Sequence, residues 1–158
     1  MRRHTDYIIN LSLIQISNGT SSKVHIRTQY NDSSYCWNKV ASAAAVFYLP
    51  IKNNTSLIFV SKPESEHILN CKMEPRCAAT IQDDGQAWEV IKGAQLKGTV
   101  NVAEEKYWTN YLEKYPYIKN NKTLSKELEK VELYEFEIIW GRIIDNSKGF
   151  GNREEYNF

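Results

Sequence analysis

The chain has 158 residues, with 20 Lys or Arg against 19 Asp or Glu and a formal net charge of +1. That length suits one domain that buries roughly two thirds of its unfolded surface, and the balanced charge sets up no field to draw it to nucleic acid or an anionic membrane. Arg2 and Arg3 precede no uninterrupted apolar run, and the longest, around "VASAAAVFYLPI", falls far short of the roughly 18 residues of a membrane span; the expectation is a soluble, cytoplasmic, unexported protein.

In chain order, "TDYIINLSLIQIS" (5–17) fits either a short helix or a strand, and "NGTSS" breaks it. "KVHIRTQ" alternates Val24, Ile26 and Thr28 as a half-buried strand does, and the polar "YNDSS" after it suggests a hairpin. "VASAAAVFYL" is a continuous run of small and apolar residues ended by Pro50, and "SLIFVS" is β-branched and aromatic; both read as buried strands. Ser61, Lys62, Pro63 and Glu64 spell a capping box, so a helix is expected to start there, turn Ile68, Leu69 and Met73 inward, and stop at Pro75. "RCAATIQ" follows as a strand, "DDG" as a hairpin turn, and "AWEVIKGAQLKGTVNV" as one long strand with bends or bulges at Gly93 and Gly98. "EEKYWTNYLEKY" sets Tyr107, Trp108, Tyr111, Leu112 and Tyr115 on one helical stripe before Pro116. "TLSKELEKV" adds a helical turn or two, and "LYEFEIIWGRIID" is a last strand before the turn "NSKGFGN". So many strands need their edges paired or covered, which predicts a closed or nearly closed antiparallel β-barrel.

Several chemistries can be weighed on residue types. His4, His25 and His67 each have serines to pair with, but no GxSxG elbow is present. His67 and Cys71 stand four apart on one helix face with Cys77 close behind, which are zinc-ligand types at workable spacing; small buried thiols are the plainer reading. Three cysteines, Cys36, Cys71 and Cys77, without CxxC spacing, suggest reduced thiols rather than a disulfide framework. Asp83 and Asp84 read as turn residues, and the aromatics follow apolar stripes rather than clustered cations, which disfavours nucleic-acid binding. The helix start near Ser61 offers more. Unsatisfied N–H groups and the helix dipole receive anions, and Ser61, Ser65, His67 and Lys62 stand around that terminus as donors to a phosphate. An ordinary capped helix remains the competing reading.

The segment "LIFVSKPESEHILNCKMEPRCAATI" followed by "IKGAQLKGTV" resembles the pyridoxamine 5'-phosphate oxidase-like, FMN-binding split-barrel superfamily. There a strand ends in Ser or Thr, a short helix carries a Ser-x-His/Lys element, and an "NPR-x-A" stretch leads into the next strand. An uncharacterised small bacterial branch is the most similar, on Phe47 and Tyr48, on Gly93, Gln95 and Gly98, and on Asp145, Asn146, Gly149, Phe150 and Gly151. The resemblance covers roughly Ala41 to Gly151; residues 1–39 match poorly. It implies one domain over 1–158, mainly β, with a six-stranded antiparallel Greek-key split barrel and two or three short helices. It also implies a homodimer with FMN in an interfacial groove. The phosphate would meet Ser61, Lys62, Ser65 and His67, the flavin ring would lie along the backbone at Val46, Phe47 and Tyr48, and Gln95 would sit near the flavin. The function implied is a flavin-dependent oxidoreductase acting on a small molecule, or alternatively a non-catalytic module that uses the groove for haem or another phosphorylated ligand. Two departures are visible. Glu66 stands where many flavin-binding relatives carry a basic residue, and the Arg-rich C-terminus of true pyridoxamine phosphate oxidases is not evident after Ile139, so that activity does not carry over.

Overall fold

The computed structural model describes residues 23–29, 41–82 and 85–158. Its strands are β1 (Lys23–Gln29), β2 (Ala41–Ile51), β3 (Ser56–Ser61), β4 (Arg76–Gln82), β5 (Lys92–Val102), β6 (Glu132–Asp145) and β7 (Arg153–Asn157). All pair antiparallel in the order β3-β2-β1-β4-β5-β6-β7, and β3 also pairs with β6, so the first six close a barrel and β7 lies outside the ring. The return of β4 to the side of β1 after the β1-β2-β3 succession is a Greek key. Four helices are described: α1 (Glu66–Met73), α2 (Tyr107–Lys114), α3 (Tyr117–Asn120) and α4 (Lys122–Leu128). The expected barrel is therefore present, with one strand and at least one helix beyond the expectation.

β3 shows why a continuous apolar run can be a strand. Leu57 and Phe59 point into the barrel, whereas Ile58 faces outward under the helices, and all three are buried. A strand covered on both faces loses the alternation that marks a half-exposed one. β1 keeps that alternation, with Val24 and Ile26 inside and His25 exposed. β2 only partly meets the expectation of a buried strand: Val46 and Tyr48 are in the barrel core, but Ala43 and Ala45 are exposed on its outer face. One barrel end is closed by α1, which inserts Ile68 and Cys71 into the core.

β6 is the longest strand and changes partner along one edge. Glu132–Glu137 pair with β3, Trp140–Ile144 pair with β7, and the other edge pairs with β5 from Tyr134 to Asp145. At the changeover Lys97 pairs with Trp140 and Gly98 with Ile138, so Ile139 is an extra residue, a bulge. The expected irregularity at Gly98 is thus real and has a steric reason. A Cβ there would come 2.0 Å from the Glu137 carbonyl oxygen and 2.9 Å from Phe136 Cζ. At Gly93 the nearest approach would be 2.9 Å, to the Ile81 carbonyl oxygen.

Four local expectations need correction. β2 does not end at Pro50 but runs to Ile51, with Pro50 opposite Leu57; beyond Phe47 the strand has β3 as its described neighbour, so a missing N–H costs no second ladder. The long strand expected from Ala87 begins only at Lys92, after a short 3-10 turn at Trp88–Val90. The helix starts at Glu66 rather than just after Ser61, because Ser61 is still paired with Glu132 and a turn closed by Ser65 N–H to the Lys62 carbonyl (3.0 Å) intervenes. Finally, Ile68 is buried as expected, but Leu69 and Met73 are 49% and 64% exposed. The readings of 5–17, "NGTSS", "YNDSS", Asp83, Asp84, His4 and Cys36 fall outside the described residues.

α2 to α4 cover the outer face of β3 and of β2 from Phe47 onward. Tyr111, Tyr115 and Ile118 bury against Ile58 and Leu133, with Phe47 and Leu49 packed alongside. The stripe read from the sequence is real, and it is fastened by polar tips. Tyr115 donates to the Tyr48 carbonyl (2.6 Å), Lys114 Nζ to the same oxygen (2.8 Å), and Tyr111 to the Phe47 carbonyl (3.3 Å).

Gly98→Val is expected to destabilise by about 3 kcal/mol or more, because backbone blocks the new side chain, which lowers Tm by roughly 6 °C or more. Gly93→Val should cost less. Calorimetry on both variants checks this, and two wild-type melting curves would refute the close approach.

Candidate functional site

The end of β3, the turn after it and the first turn of α1 bring Ser61, Ser65 and His67 together. Ser61 Oγ lies 2.8 Å from His67 Nε2 and 3.0 Å from Ser65 Oγ, and Ser65 Oγ is 3.5 Å from the same ring nitrogen. Ser65 is the N-cap residue by backbone, but its hydroxyl does not cap; it donates to the Lys62 carbonyl at 2.8 Å. That bond fixes the direction of the others. With its one proton committed, Ser65 accepts from Ser61, and Ser61 in turn accepts from His67, which places the proton on Nε2. The relay therefore runs from His67 through Ser61 and Ser65 to the Lys62 carbonyl.

The same direction of donation decides between two chemistries. In this direction of donation the ring nitrogen facing Ser61 is a donor, which is not the nucleophile–base arrangement of a hydrolase. The group is instead a set of donors: two hydroxyls and one ring N–H converge where a helix begins. Burial holds the His67 imidazole below its ordinary 6.5, partly opposed by the neighbouring Glu66 carboxylate, which favours the protonated ring.

Lys62 belongs to the same turn but its charge is engaged. Its Nζ is 3.2 Å from Glu127 Oε2 on α4, and Glu127 also binds Lys130 at 2.6 Å. No feature of "TLSKELEKV" signals that partnership, because it joins two elements far apart in sequence. Val46 and Tyr48 lie on the neighbouring strand, where Tyr48 pairs with Phe59, two residues before Ser61. Their side chains, however, are buried in the barrel, and the Phe47 and Tyr48 carbonyls accept from Tyr111, Lys114 and Tyr115.

Gln95 is not part of this group. It pairs with Thr80 and Arg142, well along β5 from Val102, which marks the level of α1 and the end of β3. Its side chain accepts from Arg142 Nη1 at 3.4 Å, and Arg142 also binds Glu155 at 2.7 Å and lies over the Trp140 ring at 5.2 Å. The zinc reading of His67, Cys71 and Cys77 finds no support, since His67 Nε2 is turned to the serines and, among the described residues, no group of three or more His, Cys, Asp or Glu side chains is placed to hold a metal.

No family model matches the sequence, and no curated protein matches it. Solved structures do resemble the fold. A general stress protein 26-related protein of the pyridoxine phosphate oxidase family from Clostridium acetobutylicum superposes with a TM-score of 0.61 at 15% identity, over 94% of this chain and 92% of its own. A conserved hypothetical protein from Mycobacterium tuberculosis gives 0.65 at 16% identity over 94% and 92%. A haem-binding protein from Mycobacterium smegmatis gives 0.60 at 14% identity over 87% of this chain and 53% of its own, so the chain spans about half of that protein. At such identities the likeness speaks for architecture. The chain shares its barrel fold with these structures, one of which is described as a pyridoxine phosphate oxidase-family protein.

Proposed function

We propose that this split barrel binds FMN, with the flavin phosphate held by Ser61, Ser65 and His67. The observation that carries the reading is the convergence of three hydrogen-bonding groups within 2.8 to 3.5 Å of one another at the start of α1. Each hydroxyl rotates freely enough to turn its proton from its neighbour to an anion, and His67 Nε2–H is already a donor. Bound flavin would supply hydride and electron transfer, which makes a flavin-dependent oxidoreductase the activity class proposed. The chain's own residues would bind the phosphate and align the strand backbone at Val46, Phe47 and Tyr48 beside the ring system.

Two carboxylates work against this site. Glu66 sits in the first turn of α1, and Glu127 holds Lys62. Both make FMN affinity lower than the donors alone would give. The haem alternative has no observation of its own in its favour among the described residues. The homodimer belongs to the same proposal. It is supported by the outer face of β2 and β4, where the small Ala43, Ala45 and Ala78 are exposed and leave the sheet open to close approach by another copy. Light scattering is expected to give about twice 18.4 kDa, and a clean monomer at micromolar concentration would remove the interfacial groove.

Flavin fluorescence quenching tests the phosphate directly. Ser65→Ala and His67→Ala should each weaken FMN by about ten- to a hundredfold, since a charge-assisted hydrogen bond contributes roughly 1.5 to 3 kcal/mol. Riboflavin, which lacks the phosphate, should bind all variants alike. Glu66→Arg should tighten FMN. Equal losses for both ligands, or no binding of either by the wild type, would refute the cradle, and a haem spectrum in the purified protein would replace it with the binding-module alternative.

The histidine adds a pH signature. Its pKa is lowered on folding, so the unfolded chain binds the proton more readily; the stabilisation present above pH 6.5 is lost as pH falls through the depressed value. Thermal melts of the free protein should therefore shift downward from pH 7 to 5, and less so in His67→Gln. Saturating FMN should flatten the same decline, because a phosphate beside the ring favours its charged form. An FMN complex with the free protein's full acid sensitivity would place the phosphate elsewhere.

A further inference from the structure

Between the last turn of α1 and the end of β5 lies a cavity that the phosphate site does not use. It measures about 230 Å³, opens to solvent, and is lined by Ile68 and Lys72 of α1, by Pro75 in the turn after it, and by Val100, Val102 and Tyr134 of the sheet among others. Ile68, Pro75 and Val100 make its lining largely apolar. The Tyr134 hydroxyl donates to the Glu132 carboxylate at 2.9 Å, so that wall offers a ring rather than a free donor.

Donors come instead from the backbone of β5 and from Lys72. Val100 N–H reaches the Pro75 carbonyl at 2.9 Å on one edge of β5, whereas Ala103 N–H reaches the Leu133 carbonyl of β6 at 2.9 Å on the other. Alternate residues of a strand turn their N–H groups to opposite edges, so Val102 N–H points to the same edge as that of Val100. That edge has no strand beside it there, because the pairing with β4 goes no further than Thr99 opposite Arg76. Among the described residues nothing accepts from Val102 N–H, and the residue lines the cavity. Lys72 spends one of its three ammonium protons on the Pro63 carbonyl at 3.2 Å and has no carboxylate in ion-pair contact among the described residues. Standing in the last turn of α1, it also offsets the negative end of that helix, which by itself repels an anion.

We propose that this cavity is a binding site for a small free carboxylic acid with a compact apolar body, its carboxylate accepting from Val102 N–H and Lys72 Nζ and its body lying against Ile68, Pro75 and Val100. The volume agrees with that class. An apolar protein cavity of roughly 150 Å³ holds a benzene ring, so about 230 Å³ takes one ring or one branched chain together with its carboxylate. The two donors also divide the work: the strand N–H fixes the direction of the carboxylate, and the lysine supplies the charge that distinguishes an acid from its amide.

Amide NMR of the intact protein, titrated with benzoate and separately with benzamide, tests this without reference to any flavin. Benzoate is expected to shift the Val102 amide saturably at millimolar concentration or below, and benzamide to bind more weakly. Lys72→Gln should weaken benzoate by about tenfold and leave benzamide unchanged, since one charge-assisted bond is lost. Val102→Pro removes the donor without breaking a ladder bond and should abolish the benzoate response. Lys72→Gln alters an exposed side chain and decides the matter if the proline variant does not fold. N-acetyl-leucine, which carries the same chemistry at a peptide C-terminus, should bind less tightly than benzoate because its amide exceeds the cavity; tighter binding would overturn the assignment to a free acid. The site itself is overturned if the Val102 amide does not respond to benzoate, if benzoate and benzamide bind alike and Lys72→Gln changes neither, or if the shifts centre on Ser65 and His67, which would assign the anion to the phosphate site.

Discussion

β6 is shared by three neighbours, and the barrel depends on that sharing. Its first half closes the ring against β3, its second half carries β7, and its other edge is held by β5 from Tyr134 to Asp145. A strand cannot serve two partners on one edge without a change of direction, which the extra residue at Ile139 provides. The bend brings the Glu137 carbonyl so close to β5 that only glycine fits at position 98. One sequence constraint, one backbone irregularity and the closure of the barrel are thus a single fact seen at three scales. The candidate site inherits its position from it, because Ser61 is set by its pairing with Glu132 at the closing seam.

That seam also explains the chemistry of the site. At the end of β3 the chain leaves the barrel, turns through Lys62–Ser65, and folds back as α1 over the open end. His67 consequently returns to within hydrogen-bonding distance of a residue still in the sheet. Strand end and helix start are both places where backbone groups lack partners, and here the side chains that satisfy each other locally are the ones an anion would recruit.

Much of this was legible in the sequence, for identifiable reasons. β1 announced itself by alternation and β3 by an apolar run bounded by serines, and the stripe from Tyr107 to Tyr115 has one helical face because it covers one sheet. Gly98 was legible as an irregularity because glycine in a strand often marks a bulge, a bend or a close approach of another backbone. The misreadings share a cause: local pattern was overruled by pairing. Ser61 and Glu64 have the spacing of a cap, but Ser61 is detained in the sheet by β6; Pro50 has the appearance of a stop, but β2 has left β1 by then. At the site, Ser61, Ser65 and His67 are near in sequence and so could be grouped in advance. The Glu127 that engages Lys62, the Arg142 that engages Gln95, and the carbonyls taken by Lys114 and Tyr115 come from elements distant in sequence, with no local signal.

Closure leaves β7 outside the ring, with β6 on one side and no described strand on the other. A row of unpaired N–H and C=O groups is a template on which further chains can stack. The strand that presents it reads Arg153, Glu154, Glu155, Tyr156, Asn157, with the first three exposed and Glu154 and Glu155 tied to Lys148 and Arg142. An approaching copy in antiparallel register would have to set these charges against its own and strip them of water. Among the described residues, the charges of this short strand thus work against edge-to-edge stacking of copies.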